Sequence, residues 1–65
     1  MKIVVGGVYY NDRGDEINVQ FVTADLVAYD HYVDGKKTSV DGVKHSQLQK
    51  VLREGGFFFD HQETW

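Results

Sequence analysis

Alternation of apolar and polar residues is the clearest pattern in the first two thirds of the chain. Ile17, Val19 and Phe21 are separated by polar residues, which predicts a strand with one buried face. The apolar run before it, 3–10, predicts an earlier strand that bends at its two glycines. Because a turn cluster containing Gly14 joins the two runs, we expect a hairpin.

The next apolar run predicts a second hairpin. Residues 26–33 alternate between two faces, and the Asp-Gly dipeptide at 34–35 is a strong hairpin signal. The strand that returns, 36–40, is polar and begins with two lysines, as expected for the edge of a sheet. The Asp-Gly dipeptide at 41–42 is expected to end that strand. One face of the third strand carries Val27, Tyr29, His31 and Val33.

The apolar period then changes from two residues to about 3.6, which is typical of a helix. A Ser-x-x-Gln sequence that starts at Ser46 fits a capping box, with Gln49 at its third helical position. These features predict a helix over about 46–54, ended by a left-handed glycine at 55–56. A fifth strand is expected from Phe57 to about residue 62. The apolar residues on one side of the helix are Leu48, Val51 and Leu52.

The predicted fold is mainly β (α+β), with the element order ββββαβ in a single domain, 1–65. A flat sheet of short strands is not stable with both faces exposed to solvent. We therefore expect a small curled antiparallel sheet or an SH3-like barrel with the helix over one end. A chain of 65 residues buries only about 60% of its unfolded surface. Since it has no cysteine, stability must come from core packing or self-association.

Part of this pattern is similar to small SH3-like barrel modules, in particular to short proteins of phages and prophages. The resemblance covers residues 6–40 and consists of turn glycines and alternating apolar positions. The chain departs from that pattern by a two-turn helix before its last strand. The resemblance implies a binding module rather than an enzyme, a phage-type origin, and binding that modulates one host protein. The matching positions are Gly7-x-Tyr9-x-Asn11-x-x-Gly14-x-x-Ile17-x-Val19, Val27-x-Tyr29 and Asp34-Gly35.

The distribution of charge suggests nucleic-acid binding as an alternative function, because the middle of the chain is basic. The whole chain nevertheless carries a net charge of −3. A small barrel can bind nucleic acid by stacking bases on aromatic rings and pairing cations with phosphates. The net negative charge disfavours this alternative, since nucleic-acid modules usually have a basic excess. The candidate phosphate contacts are Lys36, Lys37, Lys44, Lys50 and Arg53.

No catalytic residue, cofactor or metal site is predicted. The chain lacks cysteine, and its two serines have no obvious histidine and carboxylate partners. The Asp-His pairs at 30–31 and 60–61 would meet only if the third and fifth strands were neighbours, and adjacent strand residues point to opposite faces. We therefore expect a non-enzymatic protein. A cytoplasmic location is expected, because no export signal, membrane span or cysteine is present.

Three consecutive phenylalanines in the last strand give the clearest indication of function. Alternation directs Phe57 and Phe59 to the core and leaves Phe58 facing outward. Two interpretations stay open. Either Phe58 packs under Trp65 and closes a two-sided core, or an aromatic patch binds a host protein or a second copy of the chain. The predicted partner-binding residues are Phe58, Trp65, Tyr10 and Tyr32.

Overall fold

The computed structural model describes residues 3–64 and shows one five-stranded antiparallel sheet and one helix in that part of the chain. The strand order across the sheet is β4-β3-β2-β1-β5, so β4 and β5 stand at its two ends. The mainly β fold and the order ββββαβ are confirmed, and closure into a barrel stays a prediction. The elements are β1 Gly7–Tyr10, β2 Glu16–Val22, β3 Leu26–Val33, β4 Lys36–Lys44, α1 His45–Glu54 and β5 Phe58–Gln62.

The core lies between α1 and the face of the sheet that we call the inner face. Leu48 and Leu52 are four residues apart on one side of α1 and are almost fully buried against this face. Full burial of such a side chain contributes about 1.5–3 kcal/mol. The helix α1 has ten residues. Within residues 3–64, no helix is long and apolar enough to cross a membrane. The core residues are Tyr9, Ile17, Val19, Val27, Tyr29, Leu48, Leu52 and Phe57.

The described sheet has three register shifts, and the two that flank β3 change which side chains of β2 and β4 face the core. The pairing of β2 with β3 shifts register between Val19 and Phe21, so Phe21 lies on the face opposite to Val19. Phe21 is 61% exposed, and the prediction that it is buried is wrong. A second register shift lies opposite Asp41 and Gly42, where β4 continues instead of ending as predicted. Gly42 has a φ of +77°, which glycine adopts without strain.

The first strand and the start of the helix differ slightly from the predictions. The strand expected over 3–10 begins only at Gly7, because the chain turns just before it and the Gly7 N–H donates to the Val4 carbonyl at 3.0 Å. The helix begins at His45, one residue earlier than predicted. Its N-cap is Lys44, whose backbone N–H donates to the Gln47 side chain at 2.9 Å, so Ser46 is not the cap.

The end of α1 places the first phenylalanine of the final run in the core. Gly56 is left-handed, with φ +69°, and its N–H donates to the Arg53 carbonyl at 3.3 Å. The Phe57 N–H donates to the Leu52 carbonyl at 2.9 Å, which completes a Schellman motif. The apolar contact that accompanies this motif joins Phe57 to Leu52, and both are buried. The predicted glycine cap is confirmed at Gly56.

Candidate functional site

Three of the four predicted partner-binding residues come together on the outer face of the sheet, opposite α1. Phe58 pairs with Tyr10, Tyr10 with Glu16, and Glu16 with Tyr32. Lys37 pairs with Tyr32 at the far end. Because directly opposed residues share a face, these five residues form one line across all five strands, which we call the outer row. With strands ~4.8 Å apart, the outer row spans about 19 Å.

The rings of the outer row are accessible. Phe58 is 49% exposed, and Tyr10 and Tyr32 are each half-buried. The fourth predicted residue, Trp65, lies outside the described residues. Alternation along β5 was enough to predict that Phe58 faces outward, whereas its neighbours depend on the strand order, which local pattern does not give.

Phe59 occupies the equivalent place on the inner face and has a different environment. It pairs with Tyr9, and the two ring centroids are 5.5 Å apart at an interplanar angle of 71°. This edge-to-face contact stabilises the end of the core. Phe59 is nevertheless 47% exposed, because β5 stands at the edge of the sheet. The prediction that Phe57 and Phe59 are both core residues is therefore confirmed for Phe57 only.

Negative charge gathers at the Tyr10 end of the outer row. The Tyr10 hydroxyl donates a hydrogen bond to Glu16, and the Glu16 carboxylate also accepts from the Asn18 amide. The charge of Glu16 is the main cause that raises the pKa of Tyr10 above its ordinary value, followed by partial burial. Asp60 and Glu63 raise this pKa further, so three carboxylates act on one phenol.

At the opposite end of the outer row, the positive charge of Lys37 lies near a carboxylate of the same sheet. The Lys37 Nζ lies 3.9 Å from the Asp30 carboxylate, and the Ser39 hydroxyl donates to the same carboxylate at 2.8 Å. Since Lys37 already has an anionic neighbour within the sheet, the positive charge at this end is partly neutralised.

A hydrogen-bonded turn connects Tyr10 and Glu16, which are neighbours in the outer row. Between them, the Asn11 side chain accepts from the backbone N–H groups of Arg13 at 3.1 Å and Asp15 at 2.9 Å. The hydrogen bond from Asn11 is the main cause that lowers the pKa of Asp15, with Arg13 also lowering it. The turn therefore fixes the spacing of β1 and β2 beneath the outer row.

The five basic candidates for phosphate contact do not share one face in the described structure. Lys36 and Lys44 stand at opposite ends of β4, about 27 Å apart for eight residue steps along a strand. Lys50 and Arg53 lie on α1, which covers the inner face, while Lys37 belongs to the outer row. This placement gives no continuous basic track among residues 3–64.

The outer face also carries a shallow apolar hollow with a volume of about 120 Å³, which the sequence did not predict. Phe21, Leu26, Ala28 and Gly42 contribute to its lining. The hollow depends on the two bulges, since these place Phe21 on the outer face and Gly42 beside Ala28. No local sequence signal distinguishes Phe21 from a core residue of β2.

The two Asp-His pairs do not meet. Strands β3 and β5 are separated by β2 and β1, which puts their backbones about 14 Å apart. His61 instead pairs with its own neighbour Asp60 at 2.6 Å. The buried Nε2 of His31 finds no hydrogen-bond partner within residues 3–64, and its ring packs edge-on against Phe57 at 5.8 Å. The described part of the chain holds no group of three potential metal ligands.

No family model, curated protein or solved structure matches this chain. The resemblance of residues 6–40 to SH3-like phage modules therefore stays a prediction, and the geometry of the outer row is the basis for a functional proposal.

Proposed function

We propose that the protein is a small, non-enzymatic protein-interaction module that docks a partner protein on its outer row. The observation that supports this most strongly is the strand register, which aligns Phe58, Tyr10 and Tyr32 on one accessible face. Aromatic side chains dominate the binding energy of many interfaces. An exposed aromatic patch on a small protein usually marks an interaction site.

Binding acts by occlusion in this proposal, and no chemical step takes place. The partner covers the outer row and buries Phe58 and Tyr32. The surface that the partner uses for this contact is then no longer accessible to other molecules. Truncating a ring that anchors an interface costs about 2 kcal/mol or more, which is about 30-fold in affinity. A cytoplasmic host protein is the partner that the sequence resemblance favours, and a second copy of the chain is the other form of the same mechanism.

The test is to capture partners on the immobilised protein and then measure the affinity of the purified partner for variants. Phe58→Ala and Tyr32→Ala should each weaken binding about 30-fold. Phe21→Ala is the matched control, because Phe21 is an exposed ring on the same face but outside the outer row. Its affinity should stay within about twofold of the parent, and thermal unfolding should show that all three variants fold.

Three other results would change the proposal. Unaltered binding by the Phe58/Tyr32 double variant would contradict it. Material that is retained only before nuclease treatment, and that is released by removing Lys36, Lys50 or Arg53, would favour nucleic-acid binding instead. Concentration-dependent dimers in sedimentation that disappear with Phe58→Ala would identify the partner as a second copy of the chain.

A further inference from the structure

The rings of Tyr10 and Phe58 lie at the same end of the sheet as three carboxylates that act on Tyr10, those of Glu16, Asp60 and Glu63. Glu16 stands between Tyr10 and Tyr32 in the outer row, and Asp60 lies on the neighbouring edge strand at a register shift, close enough to act on Tyr10. Both Asp60 and Glu63 act on the Tyr10 hydroxyl together with Glu16. A ligand that covers these rings therefore also meets negative charge.

Glu16 has hydrogen-bond donors but no cation within the described chain. It accepts from Tyr10 and from Asn18, which are both neutral groups. The Lys and Arg ion pairs of residues 3–64 involve other carboxylates, namely those of Asp15 and Asp30, while Asp60 contacts the His61 ring. The charge of Glu16 is thus held in a fixed position beside two rings and is not neutralised by the protein itself.

We propose that the outer row binds an arginine-bearing, extended basic segment of the partner protein. A guanidinium group stacks its flat face on Tyr10, Tyr32 or Phe58 and directs its N–H groups to Glu16. This inference rests on the proposed function, since it names the chemistry that the same surface recognises. The net charge of −3 also favours the approach of a basic segment over an acidic one.

The probe for this inference is a labelled Gly-Arg repeat peptide, compared with the same peptide carrying citrulline, which keeps the planar shape and loses the charge. Fluorescence anisotropy should show about tenfold weaker binding of the citrulline peptide. Glu16→Gln should weaken the arginine peptide about fivefold while keeping acceptors for Tyr10 and Asn18. Glu54→Gln removes the same charge from the exposed end of α1, and its effect should stay below about twofold.

Backbone amide shifts on titration with the arginine peptide provide a second measurement. They should concentrate at Tyr10, Glu16, Tyr32 and Phe58, and they should be absent from α1. Equal binding of the arginine and citrulline peptides would overturn the inference, as would equal losses for Glu16→Gln and Glu54→Gln, which would show a diffuse effect of net charge.

Failure of this inference is distinguishable from failure of the proposed function. If Phe58→Ala abolishes binding of the purified partner while Glu16→Gln does not change it, the arginine inference is wrong and the docking surface stands. If neither Phe58→Ala nor Tyr32→Ala changes binding of the partner, the docking surface is wrong and the inference falls with it.

Discussion

At the scale of single residues, Asn11 connects parts of the chain that are far apart in sequence. Its side-chain oxygen accepts from two backbone N–H groups of the turn, and its side-chain nitrogen donates to the Asp15 carboxylate at 3.1 Å. The same nitrogen donates to the Gly55 carbonyl at 3.0 Å, at the end of α1. Asn11 is buried, so these hydrogen bonds satisfy groups that would otherwise be costly.

We expect Asn11→Ala to lower the free energy of unfolding by about 2 kcal/mol, because it leaves buried turn and helix groups without partners. Urea unfolding measures this change. Asn18→Ala is the control, since Asn18 is half-buried on the outer face and its loss should cost less than about 1 kcal/mol. Equal costs for the two variants would contradict the expectation that the buried hydrogen bonds of Asn11 stabilise the fold.

Asp15 makes stability depend on pH. Its pKa in the folded protein is lowered, chiefly by the hydrogen bond from Asn11. A lowered folded pKa stabilises the protein at pH values above the unfolded pKa, about 3.9, and this stabilisation is lost as pH falls through the folded pKa. The difference in urea midpoint between the parent and Asp15→Asn should therefore be largest near neutral pH and shrink below about pH 4. A constant difference down to strongly acidic pH would contradict this.

At the scale of elements, the two glycines after α1 have separate reasons to be glycine. Gly56 adopts a left-handed conformation with open space around it. Gly55 has an ordinary right-handed conformation, with φ −82°. A side-chain carbon there would lie 2.5 Å from Cε2 of the Phe57 ring. Gly55 is required by packing, whereas Gly56 is required by backbone geometry.

We expect Gly55→Ala to cost about 1–3 kcal/mol by displacing the Phe57 ring. Phe57→Leu should relieve part of that cost, because the smaller side chain leaves room for the new methyl group. A double-mutant cycle by urea unfolding should show a coupling of at least about 0.5 kcal/mol. The parallel cycle with Gly56→Ala should be closer to additive, and equal coupling in both cycles would contradict the packing explanation.

The two edge strands differ in how they are protected. Lys36 and Lys37 protect β4, as the sequence predicted. The other edge, β5, instead presents Phe58 and Phe59, each about half exposed. Charged residues on β5 begin only at Asp60. This asymmetry agrees with a binding function for the β5 end of the outer face, because an unprotected apolar edge is a liability unless a partner covers it.

At the scale of the whole molecule, one core joins the sheet and the helix. Its buried residues come from β1, β2, β3, α1 and the segment before β5. A core in a chain of this size supplies about 3–5 kcal/mol of net stability. Neither the helix nor the sheet can retain its buried face without the other, so we predict that residues 1–65 fold as one unit.

Urea unfolding should give coincident transitions for far-UV circular dichroism, which reports the helix, and for near-UV circular dichroism of the tyrosines. Leu48→Ala removes a fully buried side chain of α1 and should cost about 2–5 kcal/mol. Because this is comparable with the total stability, the variant should lose both signals together. Loss of the helix signal with a retained tyrosine signal would show that the sheet folds without α1.

Short-range patterns were sufficient to predict the elements of this protein. Period-two alternation gave the strands, the Asp-Gly dipeptide at 34–35 gave the second hairpin, and the spacing of Leu48 and Leu52 gave the helix. Gly56 predicted where that helix ends. These features are determined by sequence because each depends on backbone preferences and burial within a few residues. The same alternation was enough to direct Phe58 outward.

The tertiary structure decided which elements are neighbours, and with them the candidate site. Pairing of β5 with β1 brings Phe58 beside Tyr10, residues that are far apart in sequence. The bulge after Val19 exposes Phe21, although the sequence pattern places it in the core. Strand order and bulges follow from how the whole core packs, so no local window of sequence contains them. The sequence by itself determines the alternation of side chains along each strand, whereas the tertiary structure determines which of them meet in the outer row.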